Sequence, residues 1–471
     1  MKRILALFLA LVSALMFAAC SMKNAEGTTQ NTSGTTQTSQ STSGTCAPVT
    51  NGEKIDFGGK KFKLAIDTRV GYEVGDYYYQ AEKIHLVIDE RNKTIETLYN
   101  CKIDAVEISY CVFEPDFATG NNTADVVFSQ FTLKNPKQFI DLNTLEIDFT
   151  KDWWLSEYMR DCSFDGKNLY TICYGSLSAF DYTQVLVYNK AVKNANKSLK
   201  DIDFYALVES GEWTLDKFHE IVKLAATDTD KNGSIEAVAG EIYGFIYDAE
   251  CAGNSFYFGA GGKYVSNDGE IHSVMDESSV LLTDKIIALF GDSASTAAVD
   301  INVILNLKDG KSLFSVDEIY SLRNYAESFN NRPGTDIGIL PIPKAESGAP
   351  DYISYPEIYM HSMCVPKAYT DIAVISKFLD LYARHSKETV FPEYKKWVAS
   401  YADGENTEKM LEYIFENPAS DLGPHIILYG IGYEFSKKVV NGENMFKDNV
   451  ELYRISVPDS AKAYREKLQN N

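Results

Sequence analysis

Residues 211–245 read GEWTLDKFHEIVKLAATDTDKNGSIEAVAGEIYGF, and this stretch decides the architecture. Thr214 stands where a helix begins. Its hydroxyl can accept from the backbone N–H groups that open the first turn, and Asp216 follows where the helix dipole favours a carboxylate. Leu215, Phe218, Ile221, Val222 and Ala225 recur at three- and four-residue spacings, which predicts an amphipathic helix with one buried face. Asp228, Asp230, Asn232, Ser234 and Glu236 then place oxygen side chains at alternate positions, with Gly233 at the sixth. That is the pattern of a loop that wraps hard ligands around calcium. The twelfth position is Ala239 rather than glutamate, so an Asx-rich turn capping its own backbone competes with the metal reading. No cofactor is required by the sequence; structural Ca2+ is an expectation of this loop alone.

The Gly-x-Trp-Thr-x-Asp-x-Phe helix, the Asp-x-Asp-x-Asn-Gly turn and Tyr243-Gly244-Phe245 resemble the central segment of extracellular solute-binding proteins of ABC importers, carbohydrate-type family 1. Three further motifs extend the resemblance: Trp153-Trp154 after an aspartate-rich run, Val185 to Lys190 (VLVYNK), and Gly338 to Lys344 (GILPIPK). It spreads over about residues 54–400, with unspecific sequence between the motifs. It implies a type II periplasmic-binding-protein-like fold: two α/β lobes, each a sheet flanked by helices, with a hinge and cleft between. Lobe 1 is expected at 50–186 plus 341–390, and lobe 2 at 187–340 plus 391–471. It also implies permease subunits as partners, and a chain that binds rather than catalyses.

The N-terminal residues read as targeting. Lys2 and Arg3 precede an apolar run from Ile4 to Phe17, and Phe17-Ala18-Ala19-Cys20 resembles a lipobox. The expectation is a signal peptide over 1–19, a diacylglycerol on Cys20, and a Ser/Thr/Gly-rich tether over 20–49 that buries too little to order itself. The chain would then sit at the outer face of the cytoplasmic membrane, held by lipid alone.

Composition bounds the rest. After the tether, about 420 residues are comfortable for two lobes. Lys and Arg number 45 against 66 Asp and Glu, which argues against nucleic acid as a partner. Cys46, Cys101, Cys111, Cys162, Cys173, Cys251 and Cys364 show no repeating spacing and no paired CxxC. Cys162 and Cys173, flanking Asp165-Gly166, are the pair best placed for a bridge. A monomer is expected.

The order strand, helix, strand recurs: Phe62–Asp67, Ile84–Tyr99, Asn100–Ile108 and Ala124–Phe128, the unit of a parallel sheet. In open α/β sheets, ligands bind beyond the carboxyl ends of strands. This rule nominates Asp67, Arg69, Ser129, Gln130, Tyr174, Asp181 and Tyr182. The aromatic segments add Trp153, Phe256, Tyr257, Tyr355 and Glu357. Aromatic faces pack on the C–H face of a sugar ring, and carboxylates, amides and Arg satisfy its hydroxyls. Aromatic residues make up 13% of the chain, Tyr alone numbering 30, so the ligand expected is a mono- or oligosaccharide. Asp67 and Arg69 would equally serve an amino acid, peptide or polyamine, and a surface lipoprotein without an importer stays open. A lipid-anchored glycoside hydrolase is the enzyme alternative. It lacks support from G-x-S-x-G, H-E-x-x-H or a P-loop, and the six histidines form no motif.

Overall fold

The helix that opens at Thr214 forms as its spacing requires. It spans Leu215–Ala225, the Thr214 hydroxyl accepts from the Lys217 N–H, and its buried residues are Leu215, Phe218, Ile221, Val222 and Ala225. The computed structural model describes residues 55–67, 82–108, 124–130, 138–233, 235, 240–299, 303–322, 337–356 and 360–470; for Asp67, Ser129 and Gln130 it describes the backbone. Cys20 and the expected signal and tether lie outside these residues.

The first half of the chain alternates strands and helices. It begins β1 (Lys60–Asp67), α1 (Glu82–Tyr99), β2 (Cys101–Ile108) and β3 (Val126–Gln130), then α2 (Ser156–Asp161) and α3 (Leu177–Asp181). Next come β4 (Gln184–Asn189), α4 (Leu215–Ala225), β5 (Tyr243–Tyr247), α5 (Ala252–Gly259), β6 (Val265–Asn267) and β7 (Ile271–Ser273). They are followed by α6 (Glu277–Phe290), β8 (Thr296–Ala298), β9 (Ser312–Glu318), β10 (Ile337–Leu340) and β11 (His361–Cys364). The chain then turns helical: α7 (Ile372–His385), α8 (Phe391–Ala399), α9 (Gly404–Glu416), α10 (Ile431–Val440) and α11 (Val450–Asn470). No described helix is long and apolar enough to cross a membrane.

Two main sheets result. The first has the order β11-β3-β1-β2 and the second β10-β4-β9-β5-β8. In the first, β1 pairs parallel with β2 and β3, and β11 closes the edge antiparallel to β3. In the second, β5 runs parallel to β8 and β9, while β4 runs antiparallel to β9 and β10. The strand Val185–Asn189 is therefore not itself a crossing between sheets; it lies within the second sheet, and the crossing precedes it.

The motifs have packing reasons. Gly244 faces α4 so closely that a Cβ there would stand 2.0 Å from the Val222 carbonyl oxygen. Gly338 lies under the Tyr188 ring, where a Cβ would meet it at 2.2 Å. The indole N–H groups of Trp153 and Trp154 both donate to Asp380 on α7, at 2.8 and 3.3 Å. On α1 an arginine occupies the apolar face. Arg91 is buried, its guanidinium 4.1 Å from the Tyr382 ring centre and donating to Ser386 at 2.8 Å. Cys162 and Cys173 are both buried and free, so the bridge considered for them is absent. The hairpin between them closes by backbone hydrogen bonds instead: Phe164 and Lys167 exchange both at 2.9 Å.

Candidate functional site

Register locates the cleft. The carboxyl ends of the first sheet are Asp67, Ile108 and Gln130, and His361, the first residue of β11, pairs with Gln130. In the second sheet, β5, β8 and β9 end at Tyr247, Ala298 and Glu318, with Gln184 paired to Glu318. The chain crosses between these two edges twice, and the crossings lie side by side. Thr183 bridges to Pro356, the Gln184 N–H donates to the Tyr355 carbonyl at 3.1 Å, and the His361 N–H donates to the Ser178 hydroxyl at 3.1 Å.

At this junction Tyr182 stacks on Tyr320, ring centres 5.6 Å apart. Two carboxylates stand at the same edge of the second sheet. Asp317 ends β9 beside Glu318, whose N–H it accepts at 2.8 Å. Burial pushes the Asp317 carboxyl up to about 6, opposed by a hydrogen bond from Ser321 and reinforced by the charge of Asp248. Asp248 directly follows β5 and accepts from the Glu250 N–H at 2.6 Å. Asp317, Tyr320 and Asp248 were not among the residues expected from sequence. The carboxyl-end rule would have found Asp317 and Tyr320 had Ser312–Glu318 been read as a strand, and Asp248 had it been applied to the strand that contains Tyr243-Gly244-Phe245.

The other nominated residues separate into groups. Asp67 ends β1, and Ser129 and Gln130 end β3, at the expected edge. Arg69, Glu357, Ser234 and Glu236 lie outside the described residues. Asp181 is buried and accepts from the Tyr394 hydroxyl at 2.7 Å, which occupies it with the core. Phe256 and Tyr257 are wholly buried on α5, every residue of which is buried, so they are core and not a ligand wall. Tyr355 is buried face to face with Phe258 at 4.6 Å. Trp153 is half-buried and engaged by Asp380. Tyr174 stacks on Phe180 and sits 5.0 Å from the Lys387 ammonium.

Tyr174 also lines a second concavity, of about 610 Å³, with Trp154, Tyr158, Arg160, Lys263 and Asn417 among its walls. Gly259, Ala260, Gly261 and Lys263, at and just after the end of α5, form another part of its wall.

The Asp228 loop is built on its own backbone: Asp228 accepts from the N–H groups of Lys231 and Gly233 at 2.7 and 2.9 Å. The Gly233 hydrogen bond leads the effects that hold its carboxyl below the usual range. Asp230 accepts from Asn232 in the same way. Carboxylate oxygens of Asp228, Asp230 and buried Glu241 lie within 4.8 Å of one another. Glu241 was not in the expected ligand set, since it lies beyond the twelve-residue loop.

No family model and no curated protein matches the chain. Solved structures do. The cyclic alpha-maltosyl-1,6-maltose binding protein of Arthrobacter globiformis superposes at TM-score 0.56 with 15% identity, covering 86% of this chain and 100% of its own. The sugar-binding protein MalE of Xanthomonas citri gives 0.56 and 12%, covering 87% and 100%. The galacto-N-biose-/lacto-N-biose I-binding protein of the ABC transporter of Bifidobacterium longum gives 0.56 and 14%, covering 87% and 99%. This is the two-lobed periplasmic-binding-protein-like fold. In that fold the two sheets are the cores of two lobes, and the crossings between the sheets run beside the stacked Tyr182 and Tyr320. Each of these neighbours is named as a binding protein rather than an enzyme.

Proposed function

We propose that this chain captures a mono- or oligosaccharide between its two lobes by hinge closure and delivers it to the permease of an ABC importer. The observation that carries the reading is the stacked Tyr182–Tyr320 pair beside Asp317 and Asp248, at the point where the carboxyl edges of both sheets meet. Tyr320, half-buried and backed by the buried Tyr182, offers an apolar face to a sugar ring, and the carboxylates accept from its hydroxyls. The sugar-binding neighbours of the same fold support the ligand class. Contacts made only when both lobes close would shift the open–closed equilibrium. On this reading the lobes follow the expected division, 50–186 plus 341–390 and 187–340 plus 391–471, with the inner boundaries moved to the crossings at Thr183 and Pro356. The chain is a monomer tethered through Cys20 to the outer face of the membrane, and ATP hydrolysis on other subunits reopens it. A structural Ca2+ at the Asp228 loop belongs to the same proposal and has no part in sugar capture.

A thermal-shift screen against sugars, amino acids, peptides and polyamines tests this, because a ligand that binds only the folded state raises Tm by mass action. A shift with one sugar class, lost in Tyr182→Ala and Asp317→Asn, is expected. A shift confined to amines or peptides would keep the fold and overturn the carbohydrate assignment.

A further inference from the structure

A chain with 66 acidic residues holds many carboxylate pairs, and what sets Asp248 and Asp317 apart is their place. Strands β5 and β9 run parallel, with Phe245 beside Phe314 and Ile246 beside Ser315. The Val299 N–H donates to the Tyr247 carbonyl at 2.9 Å, which keeps β5 in line to its end. Carried two residues further on both strands, this register sets Asp248 beside Asp317. Both then point to one face, on strands about 4.8 Å apart, at the carboxyl edge of the second sheet. Like charges at neighbouring positions repel, and the charge of Asp248 acts on Asp317.

Among the described residues no cation answers this charge with an ion pair. Asp317 accepts from the Glu318 N–H and the Ser321 hydroxyl, and Asp248 from the Glu250 N–H. On its other side Asp317 pairs with Val185, which is buried and apolar. Lys437 lies 4.1 Å over the Tyr433 ring and is drawn to Glu250, which accepts from the Tyr433 hydroxyl at 3.0 Å; it pairs with neither aspartate. A carboxyl that titrates at about 6 is mostly ionised at neutral pH, so Asp317 carries its charge beside Asp248. Three residues beyond Asp317, the half-buried Tyr320 ring is backed by Tyr182 at 5.6 Å.

We propose that Asp248 and Asp317 form a subsite for an ammonium group, so that the solute captured is an amino sugar whose nitrogen is not acylated. An ammonium brings the missing positive charge and three donors for the carboxylate oxygens, whereas a hydroxyl brings one donor and no charge. Tyr320 takes the C–H face of the same ring. An N-acetyl group removes the charge, and covering the two carboxylates with a neutral group leaves their repulsion unanswered. The proposal rests on sugar capture as argued above and names the class of sugar.

Calorimetric titration of the full chain tests it. The probes are glucosamine, galactosamine, the β-1,4 disaccharide of glucosamine, its N-acetylated form, cellobiose and spermidine. One of the amino sugars should bind at least about tenfold more tightly than its N-acetylated or hydroxyl counterpart. Asp248→Asn and Asp317→Asn should each weaken that amino sugar by about tenfold to a hundredfold and narrow its advantage over the neutral sugars. If either variant fails to fold, the ranking of probes on wild type decides alone. No response to any amino sugar, or neutral counterparts that bind as tightly, would overturn the subsite; binding of cellobiose in that case would leave sugar capture standing. Binding of spermidine without any sugar would remove both readings.

Discussion

The indole N–H of Trp213 donates to the Pro341 carbonyl at 2.9 Å, with the ring wholly buried. Around it the chain leaving β10 is sewn to the start of α4: the Lys344 N–H donates to the Trp213 carbonyl at 3.3 Å, and the Leu215 N–H to the Lys344 carbonyl at 2.9 Å. Trp213 is thus a rivet of the second lobe. Trp213→Ala should cost ~3–5 kcal/mol of stability. Denaturant unfolding measures this. In whatever fraction stays folded, ligand affinity should be near wild type; a variant with an intact melting temperature and lost binding would refute the structural role.

Gly244 allows α4 to lie on β5. Because the obstacle to a Cβ is the Val222 backbone carbonyl at 2.0 Å, no side-chain rotamer change relieves it. Gly244→Ala should cost at least ~3 kcal/mol, above the usual range for overpacking. An alanine variant that melts with wild type would show that α4 is held less tightly than its packing indicates.

Two buried groups make stability depend on pH in opposite senses. Burial, with help from Arg384 and Arg91, lowers His385 from 6.5 to about 4. The unfolded chain then binds more protons between those values, so His385 makes stability fall as pH drops from about 6.5 to 4, by up to ~3 kcal/mol. Burial raises Asp421 to about 6 against hydrogen bonds from the N–H groups of Tyr264, Gly423 and Val265. Its folded form holds the proton more tightly, so its contribution is present at low pH and lost as pH rises from about 4 to 6. His385→Gln and Asp421→Asn should flatten the curve in opposite directions. Unfolding at a series of pH values, read as the difference from wild type, checks both signs.

Asp181 sits one residue from Tyr182 yet faces the core, where the Tyr394 hydroxyl meets it at 2.7 Å. Asp181→Asn should lower stability by ~1–3 kcal/mol, the range for disturbing a buried hydrogen bond, and leave ligand affinity unchanged. Calorimetric titration with the ligand found by screening decides it. A large loss of affinity at unchanged stability would return Asp181 to the site.

For the Asp228 loop, the expected outcome is a rise in Tm with millimolar calcium that EDTA reverses. Glu241→Gln should abolish it, because the structure brings Glu241 to Asp228 and Asp230. A shift that survives Glu241→Gln would restrict the ion to the twelve-residue loop, and no shift at all would leave an Asx turn.

Much of the architecture was legible in the chain. Helix α4 was fixed by local rules, the 3.6-residue period and a capping hydroxyl, and these act within a dozen residues. Strand edges followed from short apolar runs, and with them the nomination of Tyr182, which the fold sets against Tyr320 beside the crossings. Which side of an element a residue faces was harder. Phe256, Tyr257 and Tyr355 have the chemistry of a sugar wall, but α5 is covered on every side, and only packing between distant segments decides that. Asp317 and Glu241 were missed for a related reason: each acquires its meaning from a partner brought near by the fold.

The sequence alone therefore determined the elements and the class of side chain suited to a polar solute, since propensity, periodicity and composition are local properties, and the two-lobed pattern came from the motifs' family resemblance. Only the tertiary structure decided where the groove lies and that Arg465 pairs with Asp165, 300 residues apart. Contacts across such separations depend on how the sheets and crossings pack, and no local rule of spacing encodes them.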